Sequence, residues 1–139
     1  MNGPAYWGIA GYPISHSLTP KLFEIVGAEL GLKAQSVYLE ADSMDEFEAN
    51  LENLQGDIWL SCTAPLKHSP QARLAVSGPE GVNAINQLKR TNGVWSGIST
   101  DGVGFVAACR HIGVEPNGSI LRMRGGGSAA RAIAAAWAE

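Results

Sequence analysis

Short apolar runs alternate along this chain with amphipathic stretches, and glycine or proline stands at most of the joins. Trp7-Gly8-Ile9-Ala10 reads as a first strand, broken by Gly11-Tyr12-Pro13. Ile14 to Leu18 reads as an extended loop. Thr19 and Pro20 then open a helix as N-cap and first-turn residue; Leu22, Phe23, Val26 and Leu30 form its apolar stripe, and Gly31 stops it. Ser36–Glu40 is expected as the second strand. Ser43-Met44-Asp45-Glu46 reads as a capping box, starting a helix that carries Phe47, Leu51 and Leu54 on one face and ends at Gln55-Gly56. Asp57–Ser61, with Ile58-Trp59-Leu60 inside it, is the third strand. Ser69-Pro70 starts a short helix reaching Val76, and Ser77–Gly81 is expected to be the most mobile loop. Asn83–Leu88 and Val94–Gly97 flank Thr91-Asn92-Gly93, a strong hairpin signal. Thr100-Asp101 caps a helix carrying Val103, Phe105, Val106 and Ile112, stopped by Gly113. After the turn Pro116-Asn117-Gly118, Ser119–Arg124 has the pattern of a strand. Gly125-Gly126-Gly127-Ser128 is a glycine-rich turn, and Ser128–Trp137 an alanine-rich helix.

The order is β-α-β-α-β-α, a hairpin, a helix and one more βα unit. That alternation predicts an α/β fold, a mainly parallel sheet flanked by helices. The 139 residues suffice for one domain of ordinary size. A net charge of −3 implies no basic surface for nucleic acid. No apolar run approaches the ~20 residues of a membrane span, and Met1-Asn2-Gly3-Pro4 lacks the features of a signal peptide. Cys62 and Cys109 are the only cysteines and show no metal-like spacing, so no metal is expected and a reducing, cytoplasmic location is.

Three stretches carry candidate chemistry: Ser61–Lys67, Ser15-His16-Ser17 and Ser99-Thr100-Asp101-Gly102. Ser61-Cys62-Thr63-Ala64-Pro65-Leu66-Lys67 follows a strand, where an open α/β sheet usually keeps its site. Ser15 and Ser17 are two apart; in an extended loop their hydroxyls face one way and His16 the other, which suits a carboxylate. Taken singly they read as turn-capping serines. Lys67 fits a proton carrier or a solvated lysine, and Asp101 fits its partner or a helix cap. Asn86 can donate to and accept from a hydroxyl, or merely face solvent from a strand. Together these residues suggest a site for a small oxygen-rich anion. Gly125-Gly126-Gly127-Ser128-Ala129-Ala130 stands where a dinucleotide pyrophosphate meets a helix N-terminus, or is an ordinary βα turn.

These motifs resemble the shikimate dehydrogenase family. Gly11-Tyr12-Pro13-Ile14-Ser15-His16-Ser17-Leu18-Thr19-Pro20 is similar to its N-terminal signature, and Ser61–Lys67 to its N-V-T-x-P-x-K segment. Ala84-Ile85-Asn86-Gln87 resembles A-V-N-T, Ser99–Phe105 resembles N-T-D-G-x-G-F, and Gly125–Ala132 resembles G-A-G-G-A-A-R-A. The resemblance implies that Ser15 and Ser17 bind the shikimate carboxylate and that Thr63, Lys67, Asn86 and Asp101 hold the ring hydroxyls, with Ser61 beside them. It implies that Lys67 and Asp101 are the acid–base pair. It implies that Gly125, Gly126, Gly127, Ser128 and Ala129 bind NADP, or NAD as the alternative. The implied reaction interconverts 3-dehydroshikimate and shikimate on the route to chorismate and the aromatic amino acids.

Three departures qualify that expectation. Ser61 and Ser99 replace two asparagines of the family pattern, so each offers one donor where an amide offers two. Arg122 and Arg124 project from one face of what would be a central, apolar strand, so this tail is expected at an edge or in solvent, docked on the first domain or on a second copy of the chain. The chain also stops after one βα unit, at roughly half the family's length. The expected division is residues 1–101, a substrate-binding α/β domain; 102–117, a linking helix and turn; and 118–139, the start of an incomplete Rossmann domain. Impaired turnover is expected. The alternatives are a non-catalytic module binding shikimate-like acids, and a quinate or shikimate dehydrogenase preferring NAD. A homodimer is the one protein partnership left open.

Overall fold

The computed structural model describes every residue except Met1, Asn2, Ser69, Ser77 and Glu80; the expected helix start at Ser69, and Ser77 and Glu80 of the expected Ser77–Gly81 loop, fall outside the described residues. The described residues form, in order, β1 (Tyr6–Gly11), α1 (Thr19–Glu29), β2 (Gln35–Glu40), α2 (Met44–Leu51), β3 (Ile58–Cys62), α3 (Pro70–Arg73), β4 (Gln87–Thr91), β5 (Val94–Ile98), α4 (Asp101–His111) and α5 (Ser128–Ala138). The five strands build one sheet in the order β2-β1-β3-β4-β5. β1 pairs in parallel with β2 and β3, while β4 runs antiparallel to both β3 and β5. Four strands therefore point one way and β4 the other, as the mainly parallel reading expects.

Period-two alternation decides which face each strand residue serves. Ile58, Leu60 and Cys62 of β3 face α2 and join Leu39, Met44, Phe47 and Leu51 in the main core. Ser43 caps α2 as predicted, its hydroxyl accepting from Glu46 N–H at 3.3 Å. The Glu46 carboxylate reaches one residue further back than a capping box requires and accepts from Asp42 N–H at 2.9 Å. The hairpin also forms at the expected place. Asn92 and Gly93 both take positive φ, 50° and 79°, the combination of a two-residue turn whose twist matches that of its strands.

The opposite face departs from the expected stripe. Leu22 and Val26 of α1, and Leu30 at its C-cap, are exposed. Of the expected stripe Phe23 alone meets the sheet, with Pro20 and Gly27 beside it. Trp7 decides this. Its ring stacks on Phe23 at 6.1 Å and occupies the space beside Gly27, where an added Cβ would lie 2.2 Å from ring carbon. Its indole N–H donates to Ser36, whose hydroxyl donates to Glu24 at 2.6 Å, so a polar chain sets the rotation of α1 on the sheet. Thr19 is the first helical residue and not the cap; Ser17 Oγ accepts from Thr19 N–H.

Other expectations shift for similar reasons. The strand expected over 83–88 begins only at Gln87, because residues 82–86 are held as a loop by Lys67, His68 and Ile98. Val103 of α4 and Ile112 at its C-cap are exposed; the buried residues of the helix are Gly102 and Val106. Gly102 lets α5 approach so closely that a Cβ there would lie 2.1 Å from the Ala132 carbonyl. Phe105 and Trp137 pack at 6.2 Å across the same contact. The strand expected over Ser119–Arg124 does not form. A strand requires a hydrogen-bonding neighbour, and among the described residues no strand runs beside this segment. Arg122 and Arg124 are exposed, as their spacing suggested.

Gly27→Ala is expected to lower stability by about 1–3 kcal/mol, because the Trp7 ring is buried and must move. Gly104→Ala, in α4 with open space where its Cβ would stand, is expected to raise stability by about 0.5–1 kcal/mol. Denaturant unfolding of the two variants checks the opposed signs.

Candidate active site

Chain direction gathers the candidate residues at one edge of the sheet. β1, β3 and β5 all end there, and β4, running the other way, begins there. The loops leaving β1 (Ser15, Ser17), β3 (Thr63, Lys67) and β5 (Ser99, Asp101), and the residue entering β4 (Asn86), therefore share that edge. The first two loops touch at their roots. Tyr12 N–H donates to the Ala64 carbonyl and Thr63 N–H to the Ala10 carbonyl, both at 2.9 Å.

Lys67 and Asp101, 34 residues apart, meet: Lys67 Nζ lies 2.6 Å from Asp101 Oδ2, with both side chains about one-fifth exposed. Asn86 Nδ2 donates to the other carboxylate oxygen at 2.8 Å and to Thr100 Oγ1 at 2.9 Å. Its Oδ1 accepts from Thr100 N–H at 2.7 Å. Both of the Asp101 oxygens are thus engaged, and a buried amide has its polar atoms met. Asp101 is the first residue of α4, where the helix dipole also favours a negative charge. The backbone supports the same cluster. Ile85 N–H donates to the Lys67 carbonyl at 2.9 Å, and Cys62 N–H to the Asn86 carbonyl at 2.7 Å.

The serine candidates make contacts of their own outside this cluster. Ser15 and Ser17 sit in a turn closed by Ser17 N–H to the Ile14 carbonyl, not in an extended loop, and the Ser17 hydroxyl serves the start of α1. Ser61 points to the α1 side of the sheet, where its hydroxyl donates to Gln87 Oε1 at 3.0 Å. That pair borders a trough of about 310 Å³ whose other walls are Thr19, Leu22, Phe23 and Val26. Ser99 Oγ is buried with no partner among the described residues. Thr100 and Gln87 belong to these networks although the sequence motifs that contain them assign neither a site role of its own; the signal available was their place beside Asp101 and Asn86.

The glycine-rich turn opens α5 without a side-chain cap, Gly127 being the N-cap, and nothing lies within 4 Å of a Cβ placed at Gly125, Gly126 or Gly127. Free backbone N–H groups beside open space fit an anionic phosphate group at a helix N-terminus. Ser128 and Ala129 form the first turn beside it. Among the described residues no helix is long and apolar enough to cross a membrane.

Cys62 adjoins the cluster in sequence but faces the core. Burial pushes its thiol up to about 12 from 9.0, against a smaller opposing pull from the Lys67 charge. It is therefore a packing residue rather than a nucleophile.

No family model matches the chain. The shikimate dehydrogenase (NADP(+)) of Rubrobacter xylanophilus is 35% identical over 134 residues, covering 93% of this chain and 47% of that protein. Among solved structures, shikimate dehydrogenase 1 of Peptoclostridium difficile superposes with a TM-score of 0.80 at 18% identity, covering 99% of this chain and 51% of that one. Shikimate 5-dehydrogenase of Listeria monocytogenes, solved with shikimate and NAD, superposes with a TM-score of 0.75 at 27% identity, covering 92% and 45%. The chain spans about half the length of the curated relatives it matches.

Native-state alkylation is expected to label Cys109 and spare Cys62, with mass spectrometry as the readout. Because the folded state keeps the Cys62 proton above the pH at which the unfolded chain loses it, stability falls as pH rises from 9.0 toward about 12. Cys62→Ala flattens that part of the profile, which denaturation at successive pH values measures.

Proposed function

We propose, since the chain belongs to the shikimate dehydrogenase family over the stretch it spans, that it carries the substrate-binding and acid–base half of an NADP-dependent oxidoreductase interconverting 3-dehydroshikimate and shikimate. The observation that carries the reading is the Lys67–Asp101 pair, held by Asn86 at the edge where the strand ends gather. A lysine ammonium has three donors. One meets Asp101, which leaves donors for a substrate oxygen. In the reducing direction Lys67 gives a proton to the carbonyl oxygen as that oxygen becomes a hydroxyl; in the oxidising direction it takes the proton back. Asp101 holds the ammonium in place and offsets its charge. Ser15 and Ser17 are assigned to the substrate carboxylate and Thr63 to a ring hydroxyl; Asn86 serves through Asp101, and Ser61, on the α1 side with its hydroxyl given to Gln87, is left without a substrate contact. Gly125, Gly126, Gly127, Ser128 and Ala129 would hold the pyrophosphate of NADP, which when bound supplies or accepts the hydride.

Low turnover is part of the proposal. Among the described residues Ser119–Arg124 pairs with no strand, so the stretch in hand presents no sheet behind the glycine-rich turn. That same observation favours the second reading, a module that binds shikimate-like acids without a cofactor. The NAD held by the Listeria relative supports NAD as the alternative nucleotide.

Calorimetry with shikimate, NADP and NAD in turn, beside an assay of nucleotide reduction, tests these readings. Shikimate is expected to bind with a Kd on the order of 1 mM. Lys67→Ala is expected to cost any measurable turnover about 10²-fold or more. Binding of shikimate with neither nucleotide supports the module. No shikimate binding, or full turnover retained by Lys67→Ala, overturns the proposal.

A further inference from the structure

Arg131 stands outside the acid–base cluster, on α5, yet its side chain leaves that helix for the loop that delivers Asn86. Nε donates to the Val82 carbonyl at 3.0 Å, and Nη1 donates to the Gly126 carbonyl at 2.9 Å. Nη2 lies 3.4 Å from His68 Nδ1. That last approach is a contact and not a bond. His68 Nδ1 lies 2.9 Å from the Asn83 carbonyl, an acceptor, so this nitrogen carries the proton and has no lone pair for a second donor.

From Val82 the chain runs through Asn83, held at a positive φ of 49°, and the buried Ala84 and Ile85 to Asn86. Val82 and Ala84 pack on Ala132 of α5, one residue beyond Arg131. Ile85 is bonded to the Lys67 backbone, and His68, which holds Asn83, follows Lys67 directly. The loop is thus tied to α5 on one side and to the lysine segment on the other. Its last residue, Asn86, is the amide that fixes Thr100 and Asp101.

We infer that Arg131 is a positioning residue for the acid–base pair: by holding the Val82 and Gly126 carbonyls together, its guanidinium fixes the loop from which Asn86 clamps Asp101 against Lys67, and it joins that loop to the glycine-rich turn. A planar fork with separate donors can hold two carbonyls from different segments at once, whereas a lysine ammonium holds them without fixed geometry. The inference rests on the proposed function for the identity of the ligand; the tie between Arg131 and Asn86 does not.

The test uses the full chain with Arg131→Met and Arg131→Lys, and Trp137→Leu as a control that loosens the α4–α5 contact while leaving Arg131 in place. The side-chain amide resonances of Asn86, recorded without ligand, report the clamp. In Arg131→Met they are expected to shift, broaden and exchange faster with solvent, and shikimate affinity to fall about threefold to tenfold. Arg131→Lys is expected to recover part of both, and it carries the test if the methionine variant does not fold. Trp137→Leu is expected to lower the melting temperature while leaving the Asn86 amide in place. An unchanged Asn86 amide in both Arg131 variants overturns the inference, as does an equal change in Trp137→Leu. If the unmodified chain binds no shikimate, the proposed function fails, and the ligand-free Asn86 signal still decides the role of Arg131.

Discussion

A buried amide holds this site together. Asn86 is 8% exposed, so each of its polar atoms must find a partner inside the protein or cost stability. It finds them in Thr100 and Asp101, which are brought within reach because β4 runs against its neighbours. A fully parallel sheet would begin its fourth strand at the far edge and carry Asn86 away from the strand ends where Lys67 and Asp101 emerge. The reversed strand is thus the topological feature on which the cluster depends. The ion pair alone would be weak at this exposure; its geometry comes from the amide that occupies the other carboxylate oxygen.

The two faces of the sheet are held by different means. On the α2 side, large apolar residues of β2, β3 and α2 pack around Phe47. Trp95 of the hairpin closes on that ring at 6.4 Å. On the α1 side, one tryptophan lies between a glycine and a phenylalanine, and a hydrogen-bonded chain from Trp7 through Ser36 to Glu24 fixes the helix. The first arrangement derives its strength from buried area, the second from close approach and polar geometry. α5 repeats the second pattern on α4, where the absence of a side chain at Gly102 allows backbone contact. Beside that docking, Arg131 joins the glycine-rich turn to the loop carrying Asn86.

What the sequence by itself determined is whatever neighbours along the chain can enforce. The Ser43 cap of α2, the Asn92-Gly93 turn and the alternating strand-helix order all follow from residues a few positions apart, and all were legible. So were the motifs containing Lys67, Asn86 and Asp101, as candidates. Tertiary structure alone decided which face of α1 is buried, because that depends on where Trp7 from another element puts its ring. It decided that Ser119–Arg124 stays unpaired, because a strand exists only beside a second one. It also decided that Lys67 and Asp101 touch and that Arg131 reaches Val82. These are meetings of groups more than 30 residues apart, and they depend on strand direction and helix docking, to which local propensity is blind.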